Sequence, residues 1–248
     1  MTGNAIIGIV TAATTAAFVV MLALDYHERP RASIGSWLIG AVFYLLGIVC
    51  QTAIEMGYLS GLIYRAWYLS GAFFAAAFLG MGSLHLIGRP RLASWSMRGL
   101  CWSLAIVTPV VLTAPLDLGL IDPHALSGAA LPTYVRVLTP FFNIFGTMTL
   151  VGVAVWSAYR LSRQGAPFGE DIGARRRFWS LTMIAVGALV AASGSTLLRF
   201  GLPSVLYVTQ LTGIGLIWLG YIAGRMSIDR SRESAMKPNG ITESGSVG

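Results

Sequence analysis

The sequence predicts an all-α, polytopic membrane protein: a bundle of seven transmembrane helices with its N-terminus outside and its C-terminus in the cytoplasm. Three observations carry this. The 248 residues are 55% hydrophobic and only 11% charged, against roughly 25% charged for a soluble domain. The apolar residues come in blocks of about 20, the length a helix needs to cross roughly 30 Å of hydrocarbon. The basic residues collect in alternate connections between those blocks, the pattern that orients a membrane protein.

Seven apolar segments follow in order, at about residues 4–24, 34–54, 62–87, 99–114, 137–159, 178–198 and 203–224. The first opens on MTGNAIIGIV, which has no positive n-region, and no small-residue cleavage site clearly follows, so it is expected to remain as a span. The second follows Arg29-Pro30, and the third is entered past Glu55 and Arg65 and closes on His85 and Arg89. Most connections are short. The exceptions are 115–136, rich in Pro, Gly and Asp, and 160–177, rich in Arg. Residues 1–225 form one transmembrane domain in this reading, and the polar stretch 226–248 is expected to be a disordered cytoplasmic tail.

Orientation follows from the basic residues. Arg29, Arg31, Arg89, Arg91, Arg98, Arg160, Arg163, Arg175, Arg176, Arg177, Arg225, Arg230, Arg232 and Lys237 would share one side, a total of 14, and only Arg65, Arg136 and Arg199 the other. Basic residues stay cytoplasmic, which gives the topology stated and an inner (plasma) membrane as the location. The formal charge of +7 is then a topology signal rather than a nucleic-acid surface, which would need a continuous basic face. Gly187, Ala191 and Ser195 on the sixth segment, Ala72, Ala76 and Gly80 on the third, and Gly220 and Gly224 on the seventh recur at spacings of four. Small residues so spaced let helices approach closely where lipid gives them no hydrophobic reason to associate. An offset of 144 residues aligns Arg31 with Arg175, Ser36 with Ser180, Leu45 with Leu189, Thr52 with Thr196 and Gly57 with Gly201. Spans 2–3 would then repeat as 6–7, as in some transporters; chance agreement of Gly/Ala/Leu-rich stretches is the rival explanation.

Arg29-Pro30, YRAWYLSG (64–71), LTAPLD (112–117), LTPFFNIFGT (138–147) and RFGLPS (199–204) together resemble a group of bacterial seven-helix membrane proteins with no established activity. The resemblance implies a fold and no chemistry. The arrangement is also similar to the heptahelical sensor regions of bacterial signalling proteins. No kinase or cyclase domain precedes the end at Gly248, so a separate signalling or transport partner would be needed for output.

Counting from the inner ends brings Glu55, Arg65, Arg136 and Arg199 to one outer level, with Asn143 about a turn deeper and Gln210 about two turns deeper. Charges at this depth face the bundle or pair. Two readings stay open here. In one, Glu55, Arg65, Tyr68, Asn143, Arg199 and Gln210 line an outward-facing polar pocket for a small anionic or zwitterionic ligand. In the other, Glu55 pairs with Arg65 or Arg199 and the aromatics form an interface belt.

Other chemistry finds less support. Retinal needs a lysine inside a span, and the chain's one lysine is Lys237. Cys50 and Cys101 lie roughly 24 Å apart along the helix axis by rise per residue, too far to bridge. Ser83 and His85, two residues apart, point away from one another on a helix. His27 with His85 lack metal-ligand spacing; Asp122 and His124 could hold a metal with Asp117, but a turn centred on Pro123 explains them as well, and no cofactor and no metal are expected. Arg175, Arg176 and Arg177 are placed to meet anionic lipid headgroups. The expectation is a non-catalytic, receptor-like or accessory subunit; the alternative is a small-solute transporter built as three plus one plus three helices.

Overall fold

The computed structural model describes residues 2–87, 89–163, 172–199 and 203–236. Seven long helices follow one another: α1 (Gly3–Glu28), α2 (Ala32–Glu55), α3 (Gly61–Leu84), α4 (Pro90–Thr113), α5 (Thr133–Arg163), α6 (Ile172–Arg199) and α7 (Pro203–Met236). No strand occurs among the described residues. Six of the helices are long and apolar enough to cross a membrane, and the apolar part of α6, Phe178–Gly194, is shorter. The outward surface suits lipid: Ile6, Ile9, Val49, Trp102, Ile106, Phe141, Ile144 and Met148 are all exposed, whereas monomeric soluble proteins rarely expose large contiguous apolar patches.

Several boundaries extend beyond the apolar segments. α4 begins at Pro90 rather than near residue 99, because Pro at the first helical turn fixes φ where no N–H is needed. α5 and α6 each gain a turn or more of Arg-containing helix. α7 continues through Met236, so the polar residues after 225, expected to be disordered, are helical that far; 237–248, with Lys237, lie outside the described residues.

α2 packs against α1 and α3, α3 against α5, α5 against α6, and α6 most extensively against α7, which returns to α1. The small-residue stripes lie at these crossings. A Cβ on Gly80 would stand 2.6 Å from the Gly146 carbonyl oxygen, and one on Gly187 2.7 Å from that of Gly213. Gly220 faces the backbone of Ser180, whose hydroxyl donates to the Gly220 carbonyl at 2.6 Å. Of the residues aligned as a repeat or stripe, the side chains of Ser195 and Thr196, and Gly201, lie outside the described residues, as do Phe200 to Leu202 of the RFGLPS motif.

Two apolar cores result. One joins α3 and α4 to the α4–α5 connection, whose Leu126, Ala130 and Leu131 are buried. The other joins Phe18, Leu22, Trp37, Leu79, Leu150, Ile184 and Ile214 at the centre. α2 turns into α3 through Gly57, at φ +95°, a conformation open to glycine that lets its N–H and that of Tyr58 satisfy the last carbonyls of α2.

α3 is not regular. Residues Tyr68–Ala75 wind as π-helix between two α-helical stretches. Asn143 of α5 donates to the Ala72 carbonyl within this stretch at 3.0 Å.

Candidate functional site

At the N-terminal end of the bundle, Glu55 closes α2 with its side chain fully buried. A carboxylate there meets the negative end of its own helix dipole, so it needs donors from elsewhere. Three are supplied. Thr2, the N-cap of α1, donates its hydroxyl to Oε1 at 2.8 Å while accepting from the Ala5 N–H. His124 Nδ1 lies 3.0 Å from the same oxygen. Tyr207, one turn into α7, donates to Oε2 at 3.1 Å. The starts of α1 and α7 thus both face the carboxylate, and their positive dipole ends oppose its charge.

His124 arrives from the α4–α5 connection, which is folded rather than loose. Asp122 accepts from the His124 N–H at 2.9 Å, and Asp117 and Ala130 join through backbone. Tyr64 of α3 donates its phenol to the Ser127 carbonyl and anchors the connection from below. One turn along α2 from Glu55, Gln51 exchanges two amide hydrogen bonds with Gln210 of α7, at 3.1 and 3.0 Å. Trp67 approaches the Gln51 carbonyl oxygen at 3.4 Å, and Tyr44 donates to the Gln210 backbone at 3.1 Å.

Not all of the expected residues meet here. Glu55 and Gln210 do, joined by Tyr207 and Gln51. Arg65 does not pair with Glu55: its guanidinium donates to the Val111 and Ala114 carbonyls, at 3.2 and 2.6 Å, and so closes the C-terminal end of α4. The carbonyls that α4 leaves open as it ends lie closer to Arg65 than the acid does. Tyr68 and Asn143 belong to the π-helical stretch, where the Tyr68 hydroxyl bonds Thr139 at 2.7 Å. The Arg199 side chain lies outside the described residues. Thr2 and Gln51 escaped the sequence reading, and His124 was weighed there only as a metal ligand, not as a partner of Glu55. Gln51 carried a signal, as a polar residue four before Glu55 and so on its helix face; His124 carried none, since only the fold of the connection brings it there.

The hydrogen bond to Glu55, with that carboxylate's charge behind it, raises the His124 pKa above its ordinary 6.5. The imidazolium is therefore favoured in the folded protein. Its contribution to stability is complete below about pH 6.5 and is lost as pH rises through the higher folded value. The ring is 61% exposed, so the effect is small. The melting temperature of wild type should exceed that of His124→Ala by about 1–2 °C at pH 6 and by less at pH 9; an equal difference at both would show that the charge is irrelevant. No hydroxyl or thiol among the described residues bonds the other His124 nitrogen, so the Glu55–His124 pair reaches no nucleophile. At the far end, His85 faces the Met81 carbonyl of its own helix at 2.8 Å.

That far end is Arg-rich. Asp25 of α1 is buried, accepts from the Tyr221 hydroxyl at 2.7 Å and pairs with Arg225 at 2.8 Å. Next to this pair, a cavity of about 640 Å³ opens among α1, α2, α5, α6 and α7. Arg175 on α6 is exposed, a buried Nη1 of Arg176 has no partner among the described residues, and the Arg177 side chain lies outside them. Exposed Trp95, Trp156 and Trp179 lie toward this end, the position aromatic residues take between lipid and water.

No family model, curated protein or solved structure matches this chain. Its reading rests on its own residues.

Proposed function

We propose that the chain is a seven-span, multi-pass protein of the bacterial inner membrane, N-terminus outside, that binds a small ligand at its outer end without catalysing a reaction. Alternation of basic residues along the sequence supports the orientation, and the resemblance to bacterial seven-helix proteins supports the setting. The observation that carries the ligand reading is Glu55: a buried carboxylate whose donors Thr2 and His124 come from outside the helices and face solvent. A ligand rich in donors, an amine or ammonium group, would exchange with these two and leave Tyr207, Gln51 and Gln210 as the fixed wall.

With Arg65 committed to α4, the charge offered at this mouth is the carboxylate's, which favours a cationic or zwitterionic ligand over an anionic one. Output in this reading passes to a separate signalling or transport partner, and Arg175, Arg176 and Arg177 meet anionic headgroups on the cytoplasmic side. Native mass spectrometry of the purified protein tests the site. Wild type should retain a small molecule that Glu55→Gln loses, since the amide removes the charge at nearly constant shape. Identical retention in both would refute the reading.

A further inference from the structure

The Arg-rich cavity lies at the opposite end from Glu55 and has no role in that reading. We propose that it binds one anionic amphiphile, with a phosphate head between Arg31 and Arg160 and an apolar chain along Ile34, Leu181 and Ile184. Size permits this, since about 640 Å³ falls within the range of small-molecule sites.

Its charges are unbalanced. Arg29, Arg31, Arg160 and Arg225 line it against one acid, Asp25. Asp25 already holds Arg225, which also reaches Glu28 at 3.9 Å. Arg31 and Arg160 have no carboxylate partner among the described residues. Two guanidiniums from different elements, one before α2 and one on α5, thus face the same opening with donors to spare, a geometry suited to phosphate.

The inner wall asks for something other than a free ion. Ile34, Leu181 and Ile184 are apolar, and Trp37 is packed against Tyr221 with ring centroids 5.5 Å apart. Trp37 fits because α3 carries glycine at position 82, where any Cβ would collide with the indole. The indole N–H is buried without a partner among the described residues. A head-only ligand would leave this apolar depth to water, whereas an acyl chain fills it. The setting supplies such a molecule: exposed Trp156 and Tyr159 flank Ser157 and Arg160, which puts the rim at headgroup level.

Full-length protein, stripped of lipid in detergent, tests the proposal by titration with dioleoyl phosphatidic acid, dioleoyl phosphatidylcholine and inorganic phosphate, read by native mass spectrometry and thermal shift. Expected is one saturable phosphatidic acid per chain, bound at least about tenfold more tightly than phosphatidylcholine. Arg31→Gln with Arg160→Gln should weaken it by at least about tenfold with unchanged helix content, both residues being exposed. Leu181→Trp should weaken the lipid by filling the cavity while leaving the arginines in place. Equal binding of both lipids, or indifference to all three substitutions, would mean annular lipid only and overturn the proposal. Inorganic phosphate as tight as the lipid, with Leu181→Trp silent, would make this a free-phosphate site and overturn it as well.

Discussion

Replacing Glu55 with alanine should destabilise the bundle by about 2–4 kcal/mol, most of it through Tyr207. Hydrogen bonds between membrane helices average near 0.6 kcal/mol each, so the lost bond to Tyr207 contributes about that much directly. The additional cost comes from the Tyr207 hydroxyl, which is buried and would keep no acceptor at this point; an orphaned buried donor costs about 1–3 kcal/mol. Thr2 and His124 face solvent, where water replaces the carboxylate at little cost. A double-mutant cycle separates the two contributions. Glu55→Ala and Tyr207→Phe should be strongly non-additive in thermal unfolding, because the second change removes the orphan left by the first. Glu55→Ala and His124→Ala should be nearly additive. A melting temperature unchanged by Glu55→Ala would mean that the carboxylate neither ties the helices nor is desolvated.

The two ends of the bundle differ in how their charges are met. At the N-terminal end a single buried acid is surrounded by donors from α1, α7 and the α4–α5 connection, and the nearby arginine is spent on carbonyls. At the other end arginines outnumber acids, and those lining the cavity come from the α1–α2 turn, α5 and α7. At the first end each donor already meets the carboxylate, so a ligand enters by displacing the exposed donors Thr2 and His124. The other has spare donors, so an anion is the group it can still accept.

The spans were legible because a bilayer demands about 20 apolar residues in a row, a signal that needs no knowledge of neighbours. Their ends were less so, since Arg-containing turns are good helix and continue past the apolar run, as in α5 and α7. Glu55 was legible as an ionisable residue at membrane depth, but its partners were not. The sequence pairs an acid with the nearest base, and only the fold shows that the end of α4 lies within reach of Arg65. The cavity was invisible for a related reason. Arg31 and Arg160 read separately as topology marks, and 129 positions of chain separate them. The π-helical stretch at Tyr68–Ala75 likewise has no mark in YRAWYLSG, and the Asn143 amide that donates to its Ala72 carbonyl comes from a helix, 71 residues further along the chain.

The largest packing effect should come from Gly146, a residue that belongs to none of the spaced stripes. A Cβ built there would lie 2.2 Å from the Ala76 carbonyl oxygen and 2.3 Å from its carbon. Both are backbone atoms of α3, so no side chain can rotate away and the two helices must separate. Gly80 meets the Gly146 carbonyl from the other side, and Asn143, one turn earlier on α5, would be drawn off the Ala72 carbonyl by the same separation. Gly146→Val should therefore cost about 3 kcal/mol or more, at the upper end of what overpacking costs. Gly146→Ala should cost less, because better helix propensity returns about 1 kcal/mol. Gly152 supplies the control: it lies on the same helix and a Cβ there meets nothing within 4 Å. Gly152→Ala should be neutral or stabilise by up to about 1 kcal/mol. Thermal unfolding of the three variants in one detergent compares them, and similar melting temperatures for Gly146→Val and Gly152→Ala would show that α3 and α5 do not cross where the glycines meet.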